Sequence, residues 1–329
     1  MPLPHDQKVL VAGAGGFIGG HLVRRLRDQG HTNLRAVDIK PLDQWFQHDA
    51  GVESLSLDLR RRGDCERAVD DAQWIYNLAA DMGGMGFIEH NRARCMLSVL
   101  INTHLLETAR EAGCQRFFFS SSACVYAADR QTRPDVPGLR EADAYPAMAE
   151  DGYGWEKLFS ERMCRHFRED FGLATRIARY HNVYGILGSF RGGREKAPAA
   201  IARKVAQAKL SGRHEIEIWG DGEQTRSFMD IEDCLDGSLM LMESDFADPI
   251  NIGSSEMVSI NHLVDIVEAI AGIKLKRHYN LDAPRGVDGR NSDNALILEK
   301  FHWEPRRPLA DGMEILYRWI HDQLAEESR

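Results

Sequence analysis

Cysteine is scarce and scattered. The six residues, at 65, 95, 114, 124, 164 and 234, form no Cys-x-x-Cys pair and no Cys/His spacing suited to a metal. That excludes a disulfide framework and a structural zinc, and leaves free thiols in a reducing compartment. No apolar run approaches the roughly 20 residues of a helical membrane span. No secretory leader is legible in the short polar stretch before Lys8, so the expected location is cytoplasmic. Positive charge is in deficit too, with 41 Lys and Arg against 50 Asp and Glu and a net charge of −9. This argues against nucleic acid or an anionic membrane as a partner, while leaving room for one local basic pocket. Internal repeats and low-complexity linkers are also lacking. What remains, 43% hydrophobic and 28% charged over 329 residues, is a folded globular chain large enough for two cores.

Residues 8–12, Lys-Val-Leu-Val-Ala, are a short apolar run that predicts a buried parallel strand. The run leads into Gly13-Ala-Gly-Gly16-Phe17-Ile18-Gly19, and helical patterning follows from His21. Strand, glycine turn and helix in that order predict a dinucleotide site. Residues without Cβ let backbone N–H groups and the helix N-terminus approach a pyrophosphate. The next strand, over 33–37, ends at Asp38, about twenty residues past the glycines. A carboxylate there accepts from ribose hydroxyls and repels a 2′-phosphate, so NAD is expected rather than NADP, even with Lys40 nearby. Asp58, closing a strand over 52–57, is expected to contact the adenine.

Strands over 74–78, 116–120 and 174–178 alternate with helices over 89–112 and 151–171. The expected fold class is α/β, a Rossmann-type doubly wound parallel sheet with a smaller α/β substrate-binding lobe where the alternation turns irregular. Residues 1–180 form the NAD-binding domain and 181–329 the second lobe, with the chain returning to the first around 228–253. Ligands of such sheets sit beyond the carboxyl ends of the strands, so 79–86 and 121–124 should line one crevice. In that crevice Asp81-Met-Gly-Gly-Met-Gly86 is either a point of close backbone approach to a ligand or a structural turn.

Two segments bring side-chain chemistry to the crevice. In Asp151-Gly-Tyr-Gly-Trp-Glu-Lys157 the spacing puts Tyr153 and Lys157 one helical turn apart on one face. An ammonium there favours the phenolate of a phenol whose pKa is otherwise about 10. The pair can then take a proton from a sugar hydroxyl as hydride leaves the same carbon, or it can be a surface pair. Cys124 follows Ser120-Ser-Ser122-Ala123 at a strand end. It is either a small buried hydrophobe or a thiol that exchanges protons with a substrate carbon. Neighbouring cations are expected to lower its pKa. Farther on, Gly220-Asp-Gly-Glu-Gln224-Thr225-Arg226 places a glutamine and an arginine on a turn. With Arg290 this arginine forms either a bidentate diphosphate site or a solvated surface.

Taken together, GAGGFIG, Asp38, Ser-Ser-Ala-Cys, Tyr-x-x-x-Lys, Arg179-Tyr-His-Asn-Val-Tyr-Gly185 and Gly-Asp-Gly-x-Gln-x-Arg-x-Phe228 resemble the extended short-chain dehydrogenase/reductase superfamily acting on nucleotide sugars. Segments 79–87, 192–200 and 289–294 (AADMGGMGF, GGREKAPAA, GRNSDN) are similar to the branch that epimerises a GDP-hexose at two carbons. The resemblance implies conversion of GDP-mannose to GDP-L-galactose and GDP-L-gulose, by transient oxidation at C4, inversion at C5 and C3, and re-reduction. It implies Tyr153 and Lys157 as the redox pair and Cys124 and Lys196 as the acid/base groups of inversion. Cations near Lys196 are expected to lower its pKa. Gly83, Ser122, Ala123, Asn182, Glu195, Ala197, Lys204, Gln224, Thr225 and Arg226 would contact substrate, with Arg290 on the diphosphate. A homodimer through the helices over 89–112 and 152–171 is implied as well. Ala127 departs from the family pattern, which has proline there. The alternatives are an epimerase-reductase of a GDP-4-keto-6-deoxy sugar, which uses NADPH and a histidine where Lys196 stands, and a 4-epimerase of another nucleotide sugar.

Overall fold

In the computed structural model, which describes residues 3–327, seven short strands pair as one parallel sheet. Its spatial order is Ile250–Ile252, Ala174–Tyr180, Arg116–Ser122, Trp74–Asn77, Val9–Ala12, Leu34–Asp38 and Glu53–Ser56. Alternate residues of these strands fill two cores. Val9, Val11, Ala36, Tyr76, Phe118 and Tyr180 face one side, and Leu10, Ala12, Val37, Ile75, Phe117 and Phe119 face the other. Burial on both faces explains why the inner strands Val9–Ala12 and Trp74–Asn77 carry no polar alternation, whereas the edge strand Glu53–Ser56 is only half-buried. The chain order reverses on either side of Val9–Ala12. Parallel register sets Ala12 level with Val37 and Asn77, and Ser122 level with Tyr180, so the strand ends share one edge.

A third core is built from the helices Ala197–Ser211, Ile260–Ala271 and Leu309–Glu327 against the strand Glu215–Trp219. That strand pairs in parallel with Lys276–Asn280. Pro198 opens the first of these helices, where its fixed φ and missing N–H cost nothing. The single helix expected over 89–112 is instead three pieces, Met85–His90, Arg92–Met96 and Ser98–Glu111. Asn91 breaks it with φ −133° and ψ 35°, and its side-chain amide donates to the Phe87 carbonyl.

Under the strand ends Arg179 forks onto Glu161 at 2.9 and 2.7 Å, both side chains being 2% exposed. Glu161 also accepts from the Ser121 hydroxyl. Removing one partner of such a pair strands a buried charge. Glu161→Ala is therefore expected to cost about 3–5 kcal/mol, read as a lower midpoint in denaturant unfolding.

Candidate active site

The glycine turn and the residues around it fit a dinucleotide with a free ribose 2′-hydroxyl. Gly13 adopts φ +85°, and a Cβ there would lie 2.8 Å from the Leu78 carbonyl carbon, so only glycine lets the backbone pass. Gly16 caps the helix Phe17–Asp28, which carries Ile18 and Gly19 in its first turn. Asp38 is buried at the end of its strand, where Oδ1 accepts from the Lys40 N–H at 3.0 Å. Lys40 itself donates to the Gly15 carbonyl at 3.1 Å. Its ammonium is thereby committed to the turn and not offered to a 2′-phosphate. Asp58 is held by Arg60 at 2.8 Å, a hydrogen bond that keeps its carboxyl below the ordinary range.

Beyond the strand ends lies a cavity of about 250 Å³. Tyr153, Cys124 and Lys196 line it together. Twelve of the expected substrate contacts are on its wall: Gly83, Ser122, Ala123, Cys124, Asn182, Glu195, Lys196, Ala197, Lys204, Gln224, Arg226 and Arg290. Thr225 is not; its hydroxyl donates to the Pro134 carbonyl. Lys157 sits behind, 1% exposed, with Nζ 4.6 Å from the Phe119 ring centroid and 5.5 Å from that of Tyr153.

Three segments are pinned to one another. The Glu150 N–H donates to the Cys124 carbonyl at 2.9 Å. A Cβ on Gly154 would lie 2.2 Å from that same oxygen, so glycine is required for the helix Tyr153–Phe171 to pack onto the Cys124 turn. The Ser122 hydroxyl accepts from the Cys124 N–H at 3.2 Å and lies close enough to Tyr153 to favour its phenolate. On the far wall, the Gly84 N–H donates to the Arg194 carbonyl at 3.0 Å, and Arg194 pairs with Asp81 at 2.7 Å. The Met-Gly-Gly-Met loop is thus fastened to the residues preceding Lys196.

Burial, more than neighbouring charge, sets the protonation of the reactive groups. The Tyr153 phenol is pushed well up by burial, so proximity to Lys157 does not by itself make a phenolate. Cys124 is also raised, by burial and then by the Glu150 carboxylate, with Arg290 opposing. The expectation that cations would lower it fails because desolvation of a thiolate outweighs one guanidinium. The Lys196 amine is lowered as expected, but chiefly by burial.

Two residues absent from the sequence reading complete the thiol's surroundings. Arg290 donates to Cys124 Sγ at 3.4 Å, to Gln131 at 2.6 Å and to Glu150 at 2.9 Å. Nothing in the sequence marked Gln131 or Glu150, since neither belongs to a motif. Arg226 is held by the carbonyls of Thr225 and Val287. Burial and then Arg290 bring its pKa down to about 10.

A family model described as the NAD dependent epimerase/dehydratase family matches residues 9–253. The chain belongs to that family. Two relatives named GDP-mannose 3,5-epimerase, from Oryza sativa subsp. indica and from Arabidopsis thaliana, are each 44% identical over 321 residues. The match spans 97% of this chain and 83% and 84% of theirs. Among solved structures, MoeE5 in complex with UDP-glucuronic acid and NAD superposes with a TM-score of 0.79 at 26% identity, covering 96% of this chain and 99% of that one. NAD is the cofactor of this epimerase/dehydratase family member, and the Gly13 turn and Asp38 are the features of the chain that suit it.

Proposed function

We propose that the chain is an isomerase of nucleotide sugars that acts on GDP-mannose and inverts C3 and C5, giving GDP-L-galactose and GDP-L-gulose. The observation carrying this reading is one cavity lined by a phenol, a thiol and an amine, Tyr153, Cys124 and Lys196, each from a different segment. NAD, when bound, supplies a reversible hydride acceptor, so that C4 is transiently a ketone. A ketone acidifies the hydrogens on both neighbouring carbons, because either carbanion is stabilised as an enolate. Inversion then requires one group to remove a proton and another to return one from the opposite ring face. In this reading Cys124 and Lys196 are those two groups, and Tyr153 holds the proton of the C4 hydroxyl with Ser122 aligning it. Lys157, with Nζ 5.5 Å from the Tyr153 ring centroid, would help hold NAD beside the phenol. Gly83 and Ala123 from the first domain and Asn182, Glu195, Ala197, Lys204 and Gln224 from the second lobe shape the sugar and nucleotide site. The cost of burying two adjacent guanidiniums, Arg226 and Arg290, is relieved by a diphosphate seated beside them.

Lys196 separates this reading from the epimerase-reductase alternative, which has a histidine at that position. Incubation with GDP-mannose in D2O tests it. Deuterium at C5 and C3 with inverted configuration is expected, and a sugar recovered without exchange at either carbon would overturn the reading.

The quaternary state belongs to the same proposal. Met96, Leu97, Trp155 and Phe159 are exposed apolar side chains on neighbouring helices, and a second copy packed there as a four-helix interface would cover them. A homodimer is expected by light scattering. Phe159→Glu, at a position 53% exposed in the monomer, is expected to shift it towards monomer. Six free cysteines fit a cytoplasmic enzyme. No helix among the described residues is long and apolar enough to cross a membrane.

A further inference from the structure

We propose that Glu150 is a proton carrier behind Cys124, resetting the thiol so that two inversions can occur on one bound sugar. The proposal rests on the 3,5-epimerase reading. In the mannose chair the hydrogens on C3 and C5 are both axial and point to the same ring face. One side chain must therefore remove both, and the group opposite must replace both. After the first inversion the acceptor is loaded and the donor is empty. The second inversion cannot begin until each has returned to its starting state.

Lys196 is only partly buried on the cavity wall and can exchange with water directly. Cys124 is more enclosed, 7% exposed at the cavity wall, and a bound sugar would cover it. What it has is Glu150. The backbone hydrogen bond from Glu150 to the Cys124 carbonyl, 2.9 Å, fixes the two residues side by side. The carboxylate is close enough to the thiol to push its pKa up, and Oε2 accepts from Arg290 at 2.9 Å, the same guanidinium that donates to Sγ. Oε1 is buried with no partner, an unfilled acceptor on a residue that Arg290 ties to the sulfur. Unpartnered buried oxygens are costly and call for a role. Glu150 is partly exposed and lines the same cavity as the sugar site, so it connects the enclosed thiol to water.

The step balances as a proton transfer alone. The Sγ–H bond of the loaded thiol breaks and an O–H bond forms on Glu150. Arg290, 3.4 Å from Sγ, stabilises the thiolate left behind. The carboxylic acid then passes its proton to water and re-forms its pair with Arg290. Where Cys124 is the donor, the same transfers run in reverse.

Glu150→Gln keeps the shape and the hydrogen bond to Arg290 but cannot carry a proton. The holoenzyme is mixed with GDP-mannose in D2O, stopped within the first turnovers, and the sugar read by NMR. The expected result is a rise of about tenfold or more in the ratio of singly to doubly inverted hexose over wild type, with Glu150→Asp restoring part of the double inversion. An unchanged ratio, or an equal loss of both inversions, overturns the relay while a wild type that inverts both carbons upholds the function. A wild type that inverts neither carbon overturns the function reading and the relay with it. A purely structural role for Glu150 would lower both products together and would not move their ratio.

Discussion

Tyr153→Phe is expected to remove all turnover, by a factor on the order of 10³ or more, and to remove solvent exchange at C3 and C5 with it. The second loss is the informative one. Without the phenolic oxygen the C4 hydroxyl keeps its proton, no ketone forms, and the neighbouring C–H bonds stay far too weakly acidic for a thiol or an amine to touch. The ring itself is preserved, so packing against Ile88, Cys95 and Cys124 is retained and cofactor binding is expected to persist. Burial raises the phenol well above its ordinary value. Since the deprotonated form is the one that accepts a proton, turnover in the oxidising direction should rise with pH. A Tyr153→Phe enzyme that still exchanges deuterium into C5 would show that acidity at that carbon does not come from a C4 ketone.

The features visible in the sequence were those encoded by local periodicity. Lys8 to Ala12 followed by the glycine turn, and Asp38 at the end of the next strand, announce a parallel sheet with a cofactor edge because both faces of each strand must be apolar and the turn must lack Cβ. Patterning also named Tyr153 and Cys124. It missed the helix Ala197–Ser211, since Pro198 reads as a breaker in a linear scan yet stands at the helix start, where it is favoured. It ran 89–112 together as one helix, since Asn91 is only weakly unfavourable to helix and the break lies in its non-helical dihedrals and its side-chain bond to the Phe87 carbonyl. The protonation of Cys124 was misread for a related reason. A sequence can show that a cation is close in the chain, but the balance between one guanidinium and the loss of water around a sulfur is decided by the fold. Glu150 and Gln131 were silent because they reach the site only through the Cys124 carbonyl and Arg290, contacts spanning up to 159 residues.

Cys124→Ala and Lys196→Ala should each lower inversion by about 10²–10⁴-fold, and the two should differ in a way that assigns their faces. Either variant keeps Tyr153 and the cofactor site, so the ketone still forms. With one of the two groups gone, the other can only remove a proton and return it to the same side. The variant that retains the group facing the C5 hydrogen should therefore wash deuterium into C5 with the mannose configuration kept. The other variant should not exchange C5 at all. Lys196 acts as a base through its neutral amine, and burial lowers its pKa below the ordinary 10.5. If Lys196 faces that hydrogen, exchange in Cys124→Ala should rise with pH and level off below the pH at which a solvated lysine would. If Cys124 faces it, exchange in Lys196→Ala should continue to climb, because burial raises the thiol. The double variant should lose little beyond the worse single one, as expected of two groups that work as a unit. Retained inversion in either single variant would remove that residue from the chemistry, and exchange at C5 in both would place them on the same side of the ring.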